Sequence, residues 1–195
     1  MKKHSKDHII SVGEQLFRTQ GYFNTGTEDL LKIAAYPRSS FYHHFKTKEN
    51  FAIEVLERYG NTSRDFYQSV LLNRQFGSPL HRLEKFTELL TKNAAGSHFS
   101  SECLIQKFAV ECAGFNETLK KSTDHQLNKL LAVLKECIAE GQSNKEFRID
   151  LSAMKMAQFL LAQIYGSFIL ARLQNSAELM SQSLKMALET LRSKN

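Results

Sequence analysis

An all-α fold of about nine helices follows from three observations. The 195-residue chain holds only two prolines, Pro37 and Pro79. Apolar residues recur every three to four positions over long stretches, and no run alternates in the way a strand does. Ser, Thr, Gly and Pro fall between those stretches, where helices start and stop. The apolar share, 42%, is enough for a real core, and the length fits a small domain joined to a larger one.

The first expected helix is HIISVGEQLFRTQGY, with Ile9, Ile10, Val12, Leu16 and Phe17 turned inward and Gly21 ending it. Thr27 is placed to cap the second, whose buried face is Leu30, Leu31, Ala34 and Ala35. Pro37 stops that helix. The residue before a proline is pushed out of the α region, so Tyr36 belongs to the connection, and Pro37 suits the opening of the next helix. Two helices joined by so short a turn make a helix-turn-helix, whose second helix enters a DNA major groove.

That second helix runs from Arg38 to His44. Phe41 and Phe45 fall on one stripe toward the core, while Arg38, Ser39, Ser40, Tyr42 and His43 face outward. The outward residues all form hydrogen bonds, and none is acidic. Arg38 suits a guanine edge, the serines and His43 suit bases, and Tyr42 suits a phosphate.

Thr47 then caps a long helix through Phe51, Ile53, Val55, Leu56 and Tyr59 toward Leu72. Pro79 opens another, to about Ala95. A short helix is expected from about Ser101 to Ala113, and a longer one from Glu117 to Gly141. The loop QSNKEFRID leads to Ser152–Asn175, and Ser176–Lys194 closes the chain. Ser152–Asn175 is apolar on more than one face, so it must be covered on several sides. A second copy of the chain is the natural cover, through Phe159, Tyr165, Phe168 and Leu173, joined by Leu184 and Leu188 from the last helix.

Charge agrees with this arrangement. The net charge is +6; the first 50 residues carry eight basic and five acidic residues, and the other 145 carry the remaining +3. The head is therefore about three times as charge-dense as the body, as suits a phosphate-facing element. No secretory signal is present at the N-terminus. The greasy run Met156 to Ala171 contains Gln158 and Gln163 and is short for a bilayer, so no membrane partner is expected. Three widely separated cysteines do not make a disulfide framework, and a cytoplasmic location with reduced thiols follows. No metal or cofactor motif appears, and no nucleophile has an evident base, so the chain is not expected to be an enzyme. A helical thiol-dependent enzyme and a non-DNA interaction module are the alternatives from other classes.

Residues 8–58 resemble the DNA-binding domain of TetR-family transcriptional regulators. The likeness lies in the opening helix, a threonine starting helix two, the SFYHHF recognition helix and the KTKENF entry to helix four. It implies a helix-turn-helix domain over residues 1–46 and a helical regulatory and dimerisation domain over 47–195. It also implies a homodimer on a palindromic double-stranded operator, and a small-molecule inducer. Where most members carry Gly-Val-Ser in the turn, this chain has Ala35, Tyr36 and Pro37; the Tyr36 ring either touches DNA or packs. Thr27, Tyr36, Pro37, Lys46 and Lys48 join the outward residues of the recognition helix as the expected DNA contacts, with Thr27, Tyr42, Lys46 and Lys48 on phosphates.

The ECLIQKFAVE segment further resembles the NemR-like branch of that family, repressors of N-ethylmaleimide reductase released from DNA by reactive electrophiles. On that likeness Cys103 is the sensor. Chemistry alone leaves two readings of it. A helix start and Lys107 one turn on favour a reactive thiolate, while Glu102 opposes it and a structural thiol fits equally well. Phe99, Lys107, Phe108, Tyr165, Phe168 and Arg172 are the candidate pocket; Arg172 faces either the thiol or solvent. The runner-up reading is a repressor with a non-covalent organic ligand and inert cysteines.

Overall fold

Ser5 starts the first helix: its side chain accepts a hydrogen bond from the His8 backbone, and α1 spans Lys6–Gln20. The computed structural model describes residues 5–100 and 102–193. Gly21 ends α1 at φ 89°, a backbone conformation that side-chained residues rarely adopt. Then follow α2 (Thr27–Ile33), α3 (Arg38–Phe45), α4 (Lys48–Leu71), α5 (Pro79–Gly96), α6 (Leu104–Cys112), α7 (Glu117–Ser143), α8 (Ala153–Gln174) and α9 (Ala177–Leu191). One 3-10 turn, Arg74–Phe76, precedes α5. The described residues thus form an all-α fold of nine α-helices, as the sequence predicts.

Several helix ends differ from expectation. The N-cap of α2 is Gly26, with no side-chain cap, so Thr27 is the first helical residue and not the cap. Pro37 sits at the N-cap position of α3. Helix α6 begins at Leu104 with Cys103 as its N-cap, later than expected; the boundary residues Ser101 and Lys194 lie outside the described residues. Thr47, Ser78, Ser152 and Ser176 each accept a backbone N–H three residues on, as capping side chains do.

The chain packs as two compact units: residues 1–62 with 102–127, and residues 63–101 with 128–195. In the first, Gly13 lets α1 approach α4 closely, because a Cβ there would lie 2.4 Å from the Phe51 ring. Phe17, Phe41, Phe45 and Phe51 form a run of aromatic contacts with centroids 4.9–5.9 Å apart. Leu104, Phe108, Cys112 and Leu119 belong to that same core. In the second unit α9 packs on α8 and α5. Arg82 is buried there, donating to the Leu71 carbonyl at 2.8 Å and pairing with Glu140 at 2.8 Å. A one-pair antiparallel bridge, Phe147 with Arg192, ties the loop after α7 to the end of α9.

Helix α8 has 22 residues, so it is longer than the greasy run read from the sequence. By length and composition it could cross a membrane, and 44% of its most apolar window is buried inside the protein.

Candidate nucleic-acid interface

Helix α3 is anchored from beneath. Phe41 and Phe45 are fully buried, which fixes the opposite side as the outward one. The turn before it closes on two backbone bonds, Ala35 N–H to the Lys32 carbonyl and Tyr36 N–H to the Leu31 carbonyl at 2.9 Å. Ala35 adopts φ 46°, the left-handed position that glycine usually fills at a helix end.

On the outer side Arg38, Ser39, Tyr42 and His43 are exposed and Ser40 is half-buried. Arg38 forms an ion pair with Glu28 of α2, and its guanidinium lies over the Tyr42 ring, 5.6 Å from the centroid. Neither the ion pair nor the cation–π contact is visible in the spacing of the sequence. Pro37 and Lys46 are exposed and Thr27 is half-buried.

Two of the expected contacts are engaged within the protein. Tyr36 is 5% exposed, and its hydroxyl lies 3.1 Å from His44 Nδ1, which also donates to the Ser40 carbonyl at 2.7 Å. Of its two readings, the ring packs. Burial pushes its phenol above the usual range, with Lys6 opposing. Lys48 donates to the Tyr22 carbonyl at 2.6 Å and lies 4.3 Å from that ring's centroid. Burial lowers the Lys48 pKa, with Cys112 and Glu111 opposing. The ammonium is thus engaged within the protein, because the aromatic residue two positions after Gln20 supplies both a carbonyl and a π face. No local signal at Lys48 reveals this.

The Cys103 region lies in the same unit. Cys103 is half-buried, and none of the three cysteines is in a disulfide. Arg18 donates to the Glu102 carbonyl at 2.9 Å. Lys107 pairs with Glu102 at 3.6 Å and with Glu111 at 3.8 Å, so two carboxylates share its charge. Glu111 also accepts the Tyr22 backbone N–H at 2.8 Å. Burial pushes the Cys112 thiol up to about 11 and the Cys137 thiol to about 12, which leaves both protonated and unreactive at neutral pH.

Of the candidate pocket residues, Lys107 and Phe108 belong to the first unit, and Phe99, Tyr165, Phe168 and Arg172 to the second. Phe99 and Phe168 meet edge to face at 6.1 Å, and Arg172 is exposed. A cleft of about 230 Å³ lies between α5 and α9, walled by Glu84, Glu88, Leu184 and Leu188, and no local pattern in the sequence points to it. Among the described residues no cluster of metal-ligating side chains occurs.

The α8 surface carries an apolar stripe. Phe159 is 40% exposed, Ile169 and Leu170 are 49% and Leu173 is 80%. Tyr165 and Phe168 are half-buried on the same helix. Leu184 and Leu188 are 1% and 4% exposed, so the core of the unit already takes up the surface expected to meet a partner.

Comparison with known proteins accords with this geometry. The model of bacterial regulatory proteins of the tetR family matches residues 9–55, and that of the tetracyclin repressor-like C-terminal domain matches residues 79–187. The HTH-type transcriptional repressor DhaR of Mycobacterium sp. (strain GP1) is 26% identical, over 95% of this chain and 91% of its own length. The HTH-type transcriptional repressor NemR of Escherichia coli (strain K12) is 26% identical over 94% of each chain. The crystal structure of reduced E. coli NemR superposes with a TM-score of 0.86, covering 96% of this chain and 97% of that one at 26% identity. A regulatory protein TetR from Rhodobacter sphaeroides shares the fold, with a TM-score of 0.87 at 21% identity over 95% of this chain and 97% of its own. With more than half its length matched by a family model and the helix-turn-helix by another, the chain belongs to the TetR family of DNA-binding transcriptional regulators.

Proposed function

We propose that this regulator is a homodimeric repressor that binds a palindromic operator and leaves it when a small molecule or electrophile acts on the body. The observation that carries the reading is the outward face of α3, where Arg38, Ser39, Tyr42 and His43 stand exposed above a fixed aromatic floor. Arg38, Ser39, Ser40 and His43 meet base edges, and Thr27, Tyr42 and Lys46 meet phosphates. The named relatives DhaR and NemR are repressors, which favours that polarity here.

Residues 1–46 carry DNA recognition, and 47–195 carry regulation and dimerisation. The exposed stripe Phe159, Ile169, Leu170 and Leu173 supports pairing of two copies through α8. Two-fold symmetry then matches the two half-sites of a palindrome. The protein acts in the cytoplasm, where its DNA is.

For release, Cys103 is the proposed electrophile target. Its place as N-cap of α6 sets it beside the free N–H groups of a helix start. Coupling of this kind is typically ~1–3 kcal/mol. A second reading, a non-covalent organic ligand with inert cysteines, is favoured by the neutralisation of Lys107 by Glu102 and Glu111, which weakens the electrostatic support for a thiolate.

A fluorescence-anisotropy titration against the DNA upstream of its own gene, thiols reduced, with and without N-ethylmaleimide, tests both. Salt-dependent binding that collapses on alkylation, and survives it in Cys103→Ser, supports the thiol switch. Binding that persists after alkylation of the wild type leaves the repressor with a non-covalent ligand. Absence of salt-dependent binding overturns the repressor reading.

A further inference from the structure

We propose that Glu28 is a specificity-determining residue for base reading, acting through Arg38; the proposal rests on the operator-binding reading above. Glu28 lies in the first turn of α2 and Arg38 is the first residue of α3. Their ion pair bridges the two helices of the helix-turn-helix across the turn that contains Pro37. Both side chains are about two-thirds exposed (66% and 67%), so the pair adds little to stability. Its significance is where it holds the guanidinium.

Arg38 is restrained twice. Glu28 engages Nη1, and the guanidinium lies over the Tyr42 ring at cation–π distance, 5.6 Å from its centroid. The Nε–Nη2 edge has no protein partner among the described residues. That edge offers two parallel donors, the pattern that matches O6 and N7 of guanine. A long arginine otherwise loses much rotamer freedom on binding, and restraint in the free protein lowers that loss.

The carboxylate also acts against the wrong contact. If Arg38 leaves Glu28 for a phosphate, Glu28 is left unpaired beside a polyanion. If Arg38 takes a guanine edge through Nε and Nη2, the ion pair is kept. Binding in a wrong register is therefore disfavoured more than binding at the operator, and specificity is this difference. A simpler role for Glu28 is a favourable interaction with the α2 N-terminus. That role predicts no change in base discrimination on losing the charge.

The test begins with selection of a preferred site from a randomised duplex library by the full-length wild type. Anisotropy titrations then compare the selected duplex, its single-base variants and a scrambled duplex, for wild type, Glu28→Gln, Arg38→Ala and the double variant. Glu28→Gln is expected to lose about tenfold in discrimination at the base pair that Arg38→Ala also relaxes. It is also expected to bind the scrambled duplex more tightly than wild type does. The double variant should match Arg38→Ala. Undiminished discrimination in Glu28→Gln overturns the proposal, as does an equal loss whether or not Arg38 is present. A wild type that selects no sequence overturns the operator reading itself, and this proposal with it.

Discussion

Helices α3 and α8 each bury one side and leave the other without cover, but the uncovered sides are opposite in chemistry. On α3 the exposed residues are Arg38, Ser39, Tyr42, His43 and His44. On α8 they include Phe159, Ile169, Leu170 and Leu173. The first surface is already at ease in water and awaits a partner that hydrogen-bonds and carries negative charge. The second is not at ease in water, and another apolar surface would satisfy it. The kind of partner is thus written in the exposed face, while the buried face only fixes where that surface points.

The severest way to break this contrast is to strike the buried side of α3. Phe41→Ala removes a fully buried ring that meets Phe45 at 5.2 Å and Phe51 at 5.4 Å. A loss of about 3–5 kcal/mol in urea unfolding is expected, with DNA binding lost although no outward residue has changed. Next comes the outer side of α8. Leu173→Glu sets two like charges in the proposed two-fold contact, and sedimentation should show a dimer dissociation constant raised by at least about a hundredfold. Salt should weaken DNA binding steeply and leave dimerisation almost unmoved; similar salt slopes would mean that the two faces do not differ as described.

A further effect reads the interiors behind these faces. The Cys112 and Cys137 thiols rise from an ordinary value of 9.0 to about 11 and about 12 on burial. Above pH 9 the unfolded chain therefore binds fewer protons at these sites than the folded one. Their contribution is complete below pH 9 and is lost as pH rises toward 11–12. Unfolding free energy measured from pH 8 to 11 should fall, and Cys112→Ala should make the fall shallower. The smallest effect concerns the entry to α3. Ala35→Gly relieves a left-handed alanine at φ 46° and should stabilise the head by about 0.5–1 kcal/mol in thermal unfolding, with operator choice unchanged.

The helix order, the Pro37 turn and the two faces of α3 were legible because each rests on residues a few positions apart. Pro37 restricts its own neighbours, and Phe41 and Phe45 share a stripe by helix geometry alone. Thr27 misled because a threonine before an apolar run is equally good as the first helical residue, and Gly26 took the cap. The surroundings of Lys48, Leu184 and Leu188 were not legible for another reason. Periodicity tells which side of a helix is apolar or charged, but not what covers it. The partner of Lys48 is 26 residues away at Tyr22, and that of Tyr22 is 89 residues away at Glu111. Contacts at such separations leave no local pattern.

That last chain of contacts bears on how such regulators are recombined. The Tyr22 backbone is held on both sides, its N–H donating to Glu111 and its C=O accepting from Lys48, and a side chain at Gly21 would collide with the Glu111 carboxylate. Leu104, Phe108, Cys112 and Leu119 lie in the same core as α1. Recognition is proposed for residues 1–46, but packing does not part there. A hybrid that grafts only those residues onto a foreign body would leave Phe17 and Tyr22 without their covering helix. Carrying residues 47–62 and 102–127 along with the head would restore that packing, so the portable unit is two pieces of chain, 1–62 and 102–127, and not one.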